Sequence, residues 1–193
     1  MSFFSWLRPK KGGVNTRPEI TAAAKNRYPR GAVPPVKLIG IVSANGRDLA
    51  DTLAFTLHEA CGWDVATITT DHFVRSGVAA MFGITPGGPD PVTGVDFDDA
   101  IELVTSMFEA NYPGVWLRCL ETAQSRLPNH VMIVHGITTE EQAAWVRNRG
   151  GRVAGDGTIL SATADIPVGL GADNTYLEAS EVILDAMTTV QEH

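Results

Sequence analysis

The chain has 193 residues, 44% hydrophobic and 19% charged, with a formal net charge of −7. That composition is ordinary for one globular domain with a real core plus a tail. The acidic balance argues against a general DNA- or RNA-binding surface, which needs a basic face, although a single small phosphate pocket needs only a few local donors. No stretch is long and apolar enough to span a bilayer. Cys61 and Cys119 are far apart with no CxxC, so neither a zinc site nor a disulfide framework follows. Both lie in apolar helical patterns and are read as buried free thiols, which suits a reducing, cytosolic setting.

Residues 1–36 read as an N-terminal arm, with prolines at 9, 18, 34 and 35 and a short helix expected around Glu19 to Arg27. Its start, "MSFFSWLRPKKGG", carries its charge after a short apolar run, which is the wrong order for a signal peptide. A mobile tail is one reading of it. The other is an anchor, with Phe3, Phe4, Trp6 and Leu7 docking on a protein partner or, second to that, on a membrane surface.

The compact domain is expected over 37–193. "KLIGIVS" is a continuous apolar run, as in a strand buried on both faces. "GRDLADTLAFTLHEA" places Leu49, Leu53 and Leu57 on one helical face, and Cys61-Gly62 stops it. "DVATITT" is a second strand. "DHFVRSGVAAMFG" is a helix closed by Gly83, with Phe73, Val74, Val78 and Met81 on its apolar side. "ITPGGPDPVTG" is a turn-rich loop. Asp96, Asp98 and Asp99 suit the start of the next helix, although three carboxylates also raise the question of a metal. After a Pro-Gly break, a helix runs through Trp116, Leu117, Leu120 and Ala123. "HVMIVHG" is a third buried strand, and a capping box from Thr138 to Glu141 opens the helix after it. "RVAG" is a fourth strand. The Gly- and Asp-rich "GDGTILSATADIPVGLGADN" is expected to form a hairpin or a loop over the sheet edge. Asn174 is a natural cap for the last amphipathic helix. Trp116 and Trp145 are expected in the core.

Strands alternating with helices predict a three-layer α/β domain with a mostly parallel sheet. Ligands in such sheets bind at the carboxyl ends of strands. The turn "SANGRD" sits at such an end, directly before a helix. There, free N–H groups and the helix dipole favour a phosphate. Ser43 offers a hydroxyl, and Ala44, Asn45 and Gly46 offer backbone amides. Arg47 adds a guanidinium, and Asp48 is a ligand for Mg2+. An ordinary strand-to-helix turn with an Asn-Gly corner explains the same residues. The strict phosphate-loop motif is Gly, four residues, then Gly-Lys-Ser/Thr, and this loop has Ile41, Arg47 and Asp48 at its diagnostic positions. The histidines 58, 72, 130, 135 and 193 show no metal-ligand spacing, and no Gly-x-Ser-x-Gly elbow is present. His135 and the Asp71-His72 pair lie at strand ends, where they face the ligand cleft or simply bond to backbone.

The order of these segments resembles the deoxynucleoside monophosphate kinases of tailed bacteriophages, a P-loop kinase family, over roughly 37–190. That family's phosphate loop ends Gly-Lys-Asp, which Asp48 matches. "HFVRSGVAAMFGITP" is similar to its helix that begins Asp-Pro-Leu-Lys, with Arg75 at its basic position. "HVMIVHGITTEEQAAWVRNRGGRVAG" and "ADNTYLEASEVILDAM" look like its later strand–helix–strand unit and its closing helix. The resemblance implies a P-loop-kinase-like α/β fold and phosphoryl transfer from ATP to a deoxynucleoside monophosphate. ATP would lie on residues 43–47, with Mg2+ at Asp48, catalytic roles for Arg47, Asp48 and Arg75, and the acceptor held by Arg75, Arg118 and His135. The departures are specific. The loop is shorter by about two residues, leaving fewer amides to wrap a phosphate chain. Arg47 replaces lysine, His135-Gly136-Ile137 replaces Asp-Val-Arg, and nothing between Pro86 and Trp116 matches the family's substrate-binding section. What departs is mainly the positive charge that phosphoryl transfer needs. Two expectations therefore stand: a nucleoside monophosphate kinase in the host cytoplasm, or a kinase-like domain without catalysis that serves as a virion or assembly component. Homo-oligomerisation stays open.

Overall fold

The computed structural model describes residues 34–83, 96–171 and 175–189. The N-terminal docking residues, the loop 84–95 and Asn174 lie outside the described residues. Among the described residues, five strands form one sheet: β1 (Leu38–Val42), β2 (Val65–Thr69), β3 (Val131–His135), β4 (Arg152–Gly155) and β5 (Ile166–Pro167). Their spatial order is β2-β3-β1-β4-β5, and every pairing is parallel. Among the described residues, six helices surround the sheet: α1 (Gly46–Cys61), α2 (His72–Phe82), α3 (Phe97–Asn111), α4 (Val115–Ser125), α5 (Glu140–Arg147) and α6 (Leu177–Thr188).

The three layers follow from the two-residue period of β1. Ile39 and Ile41 face α1 and α6, where they meet Leu49, Leu53, Leu57 and Ile183. Leu38 and Val42 face the opposite way and meet Leu120 of α4 with Trp145 and Val146 of α5. All five residues of β1 are buried, as its unbroken apolar run requires. Gly40 lets α5 and its lead-in close down on the strand, because a Cβ there would lie 3.0 Å from Val146 Cγ2 and 2.7 Å from Ile137 Cδ1. The result is a three-layer α/β domain built on an all-parallel sheet. A third, smaller cluster joins α2 to α3 through Val74, Val78, Phe97, Ala100 and Val104.

Helix ends are set by local chemistry. Gly62 (φ 69°) ends α1 in the left-handed region, and its N–H bonds to His58 O at 2.8 Å. The Asp96 side chain caps α3 by accepting from the Asp98 amide. The capping box of α5 is displaced by one residue from expectation: Thr139 and Gln142 form it, not Thr138 and Glu141. Ile137 is buried after β3, and the chain stays extended through Thr139 (φ −128°, ψ 153°) before it can turn.

Other departures have equally local causes. The Gly- and Asp-rich segment is not a hairpin. Residues 156–165 cross on the α5 side, where Ile159 and Ala162 pack, and return as β5, a parallel edge strand on β4. Asp165 fixes that return, its amide bonding Val153 O at 2.7 Å and its carboxylate accepting from Val153 N at 2.9 Å. Pro167 is tolerated because an edge strand spares a ladder donor. Met81 falls outside the α2–α3 cluster and is 59% exposed. Cys119 is only half-buried. It neighbours the fully buried Leu120, and successive helical residues point about 100° apart. Trp145 is buried under the Arg149 guanidinium, 4.5 Å from its ring centroid, whereas Trp116 is half-buried against Phe108.

Candidate functional site

The carboxyl ends of β2, β3, β1 and β4 line up along one edge of the sheet. β1 is followed by α1 on one face and β3 by α5 on the other, so the crevice between these neighbours is a topological switch point. The "SANGRD" turn stands at this crevice. Gly46 opens α1 beside the end of β3, where a Cβ on it would make ordinary contact, 3.6 Å from the Gly136 amide and 3.7 Å from His135 Cβ.

Three backbone donors of the turn are already taken. The Ala44 N–H donates to Thr158 Oγ1 at 2.8 Å. The Asn45 N–H donates to Ser43 Oγ at 3.0 Å, and the Gly46 N–H to the Ser43 carbonyl at 3.1 Å. In a working phosphate loop these are the groups left free for an anion. Behind them lies Asp156, immediately after β4. Its Oδ2 accepts from Ser43 Oγ at 2.6 Å and from the Tyr176 hydroxyl at 3.2 Å. Its Oδ1 accepts from the Thr158 amide and hydroxyl at 3.1 and 2.6 Å. Burial would raise this carboxyl, but the bonds from Ser43, Thr158 and Tyr176 together outweigh burial and hold it below its ordinary range. A permanent negative charge therefore sits beside the turn.

The cations named from sequence are scattered or neutralised. The Arg47 side chain is 83% exposed and lies 3.9 Å from Asp51 across one helical turn. Asp48 is exposed on the first turn of α1, with its carbonyl taken by Thr52 Oγ1. Arg75 is ion-paired to Asp71 one turn earlier, lies 3.9 Å from Asp98, and sits over the Phe97 ring. Arg118 is exposed on α4. His135 ends β3 half-buried. Burial lowers its pKa first; Asp51 and Asp71 pull upward and Arg47 downward. The structure thus brings Ser43, Ala44, Asn45, Gly46 and His135 together, with Arg47 and Asp48 on the outer rim. Arg75 and Arg118 do not converge on them.

Beside this corner a second feature opens, a cleft of about 290 Å3. It lies beyond the end of β2, among α2, α3, α4 and the start of α5. Asp71, Glu109 and Glu141 supply carboxylates; Val74, Trp116 and Leu117 form an apolar wall; Thr70, Thr105, Thr139 and Gln142 add polar groups. Neither Arg75 nor Arg118 lines it.

Sequence reasoning missed Asp156, Thr158 and Tyr176. The available signal was position, since Asp156 directly follows a strand at the ligand-binding edge. It also missed Glu109 and Glu141, which are remote in sequence and come to line one cleft through the packing of α3 against α2 and α4. No family model matches this chain, and no curated protein matches it.

Proposed function

We propose that the protein is a kinase-like α/β domain that does not transfer phosphate and acts instead through contacts with other proteins, as an assembly or virion component. The observation that carries this reading is the self-satisfied turn: three consecutive amides at the head of α1 are already bonded, with the Asp156 carboxylate tied in behind them. Opening it for a polyphosphate means breaking those bonds and facing that charge. The acidic cleft supports the same reading, because a nucleoside monophosphate placed there would meet carboxylates without a facing arginine among the described residues.

Work through protein contacts is supported by exposed apolar side chains. Leu103 and Met107 lie one turn apart on α3, 54% and 55% exposed, with Tyr112 beyond them at 60%. The aromatic start of the chain, Phe3, Phe4, Trp6 and Leu7, is a second candidate docking element. Virion membership rests on the resemblance to phage kinases.

The competing reading is a working deoxynucleoside monophosphate kinase. It is favoured by the position of Gly46, Arg47 and Asp48, at the head of the first helix after the central strand. A transfer assay with ATP–Mg2+ and each of the four deoxynucleoside monophosphates separates the two. Absence of diphosphate product supports the proposal; product formation that disappears in Arg47→Ala replaces it with the kinase.

A further inference from the structure

We infer that the cleft among α2, α3, α4 and the start of α5 is a binding site for a compact organic cation, an ammonium or guanidinium carried on an apolar stem. This goes beyond the proposed function and can fail without it.

The site is a concavity of about 290 Å3 at the strand ends of a parallel sheet, close to the lower size of small-ligand pockets. Its charge selects the ligand. Asp71 is already engaged, accepting from Thr69 Oγ1 at 2.6 Å and ion-paired to Arg75. Glu109 uses one oxygen, Oε2, to accept from the Gly114 amide at 2.7 Å, and its other oxygen is uncommitted among the described residues. Glu141, in the first turn of α5, has no partner among the described residues, because the capping role fell to Gln142. Two carboxylates that line the cleft are therefore left without a cation among the described residues. Glu109 comes from α3 and Glu141 from α5, so both reach one ligand only through the cleft between their helices.

The apolar wall selects the body of the ligand. Val74, Trp116 and Leu117 offer a surface for a methylene stem. Thr105 and Thr139 supply hydroxyl oxygens for its remaining N–H donors. A hydrated inorganic cation would use the carboxylates but not the wall. An anionic nucleotide would be repelled.

The same chemistry arises from a free amine or from an arginine side chain of a partner. Calorimetric titration of the full chain with agmatine and with an uncharged-backbone arginine amide distinguishes these sources. Saturable binding of either is expected, tighter for agmatine if the natural ligand is a small molecule and tighter for the arginine amide if it is a side chain. Glu141→Gln lies on an exposed position and should leave folding intact. It should weaken binding about ten-fold, and Glu109→Gln, which preserves an acceptor for the Gly114 amide, by a similar factor. Binding by both variants as tight as that of the parent, an equal response to Mg2+ alone, or no binding of either organic cation would overturn the assignment. Failure of these titrations with still no phosphate transfer would leave the proposed function standing.

Discussion

The Ser43 hydroxyl donates to Asp156 Oδ2 at 2.6 Å, tying the end of β1 to the end of β4. Thr158 and Tyr176 bond to the same carboxylate, so one side chain fastens the turn, the following loop and the lead-in to α6. Asp156→Ala should destabilise the domain by about 1–3 kcal/mol, because it strands several donors. Asp156→Asn, which keeps an acceptor, should cost less. Urea midpoints of the two variants against the parent check this ordering; equal midpoints for all three would mean the carboxylate holds nothing in place.

The lowered pKa of Asp156 has a defined sign in acid. Its folded pKa lies below the ordinary carboxylate value, so its stabilising contribution is present above that value and is lost as the pH falls through the lowered one. Asp156→Asn should therefore flatten the acid limb of a stability–pH curve and leave the neutral region sloping as before.

His135 acts in a separate window. Burial depresses its folded pKa below 6.5, so the unfolded chain takes up a proton first as the pH drops. The parent should be less stable at about pH 5.5 than at about pH 7.5, with part of that difference absent in His135→Gln. Denaturant melts at both pH values measure it, and an undiminished difference in the variant would remove His135 as a contributor.

The two thiols should separate cleanly. Cys61 is fully buried in the core and its pKa is pushed up to about 11 by burial, whereas Cys119 is half-buried. At mildly alkaline pH a thiol reagent should label Cys119 in the native protein and reach Cys61 only on unfolding. Mass mapping of the labelled peptides decides this. Simultaneous labelling of both would show that α1 does not seal the core as described.

Core and rim should differ sharply under truncation. Leu53→Ala empties a fully buried position beneath α6 and should cost about 2–5 kcal/mol. Met81→Ala, on the exposed last turn of α2, should stay within about 0.5 kcal/mol of the parent. Thermal melts of the pair test whether the layers pack where the structure puts them.

The layers were legible in the sequence because strand and helix periods are local. Leu49, Leu53 and Leu57 declare the buried face of α1, and the run 38–42 declares a strand covered on both sides. The parallel return of β5 was not legible, since nothing local to Ile166-Pro167 distinguishes a hairpin from a crossover. The pairing is decided by Asp165 reaching back to Val153. The candidate site was half legible. The turn 43–48 announces itself as a strand end before a helix, but its occupancy is set from far along the chain by Asp156 and Thr158. A motif shows which amides are available for a ligand; it does not show which side chains elsewhere have already taken them.

Thermal denaturation with and without millimolar ATP–Mg2+ tests the central claim most directly, because a ligand that binds only the folded state must raise the melting temperature, by about 2.7 kcal/mol of stabilisation at a hundred-fold excess over Kd. With its turn amides bonded internally and Asp156 held charged behind them, the protein should melt at the same temperature in both. A rise of several degrees, lost in Arg47→Ala, would contradict the account and return the turn to service as a nucleotide site.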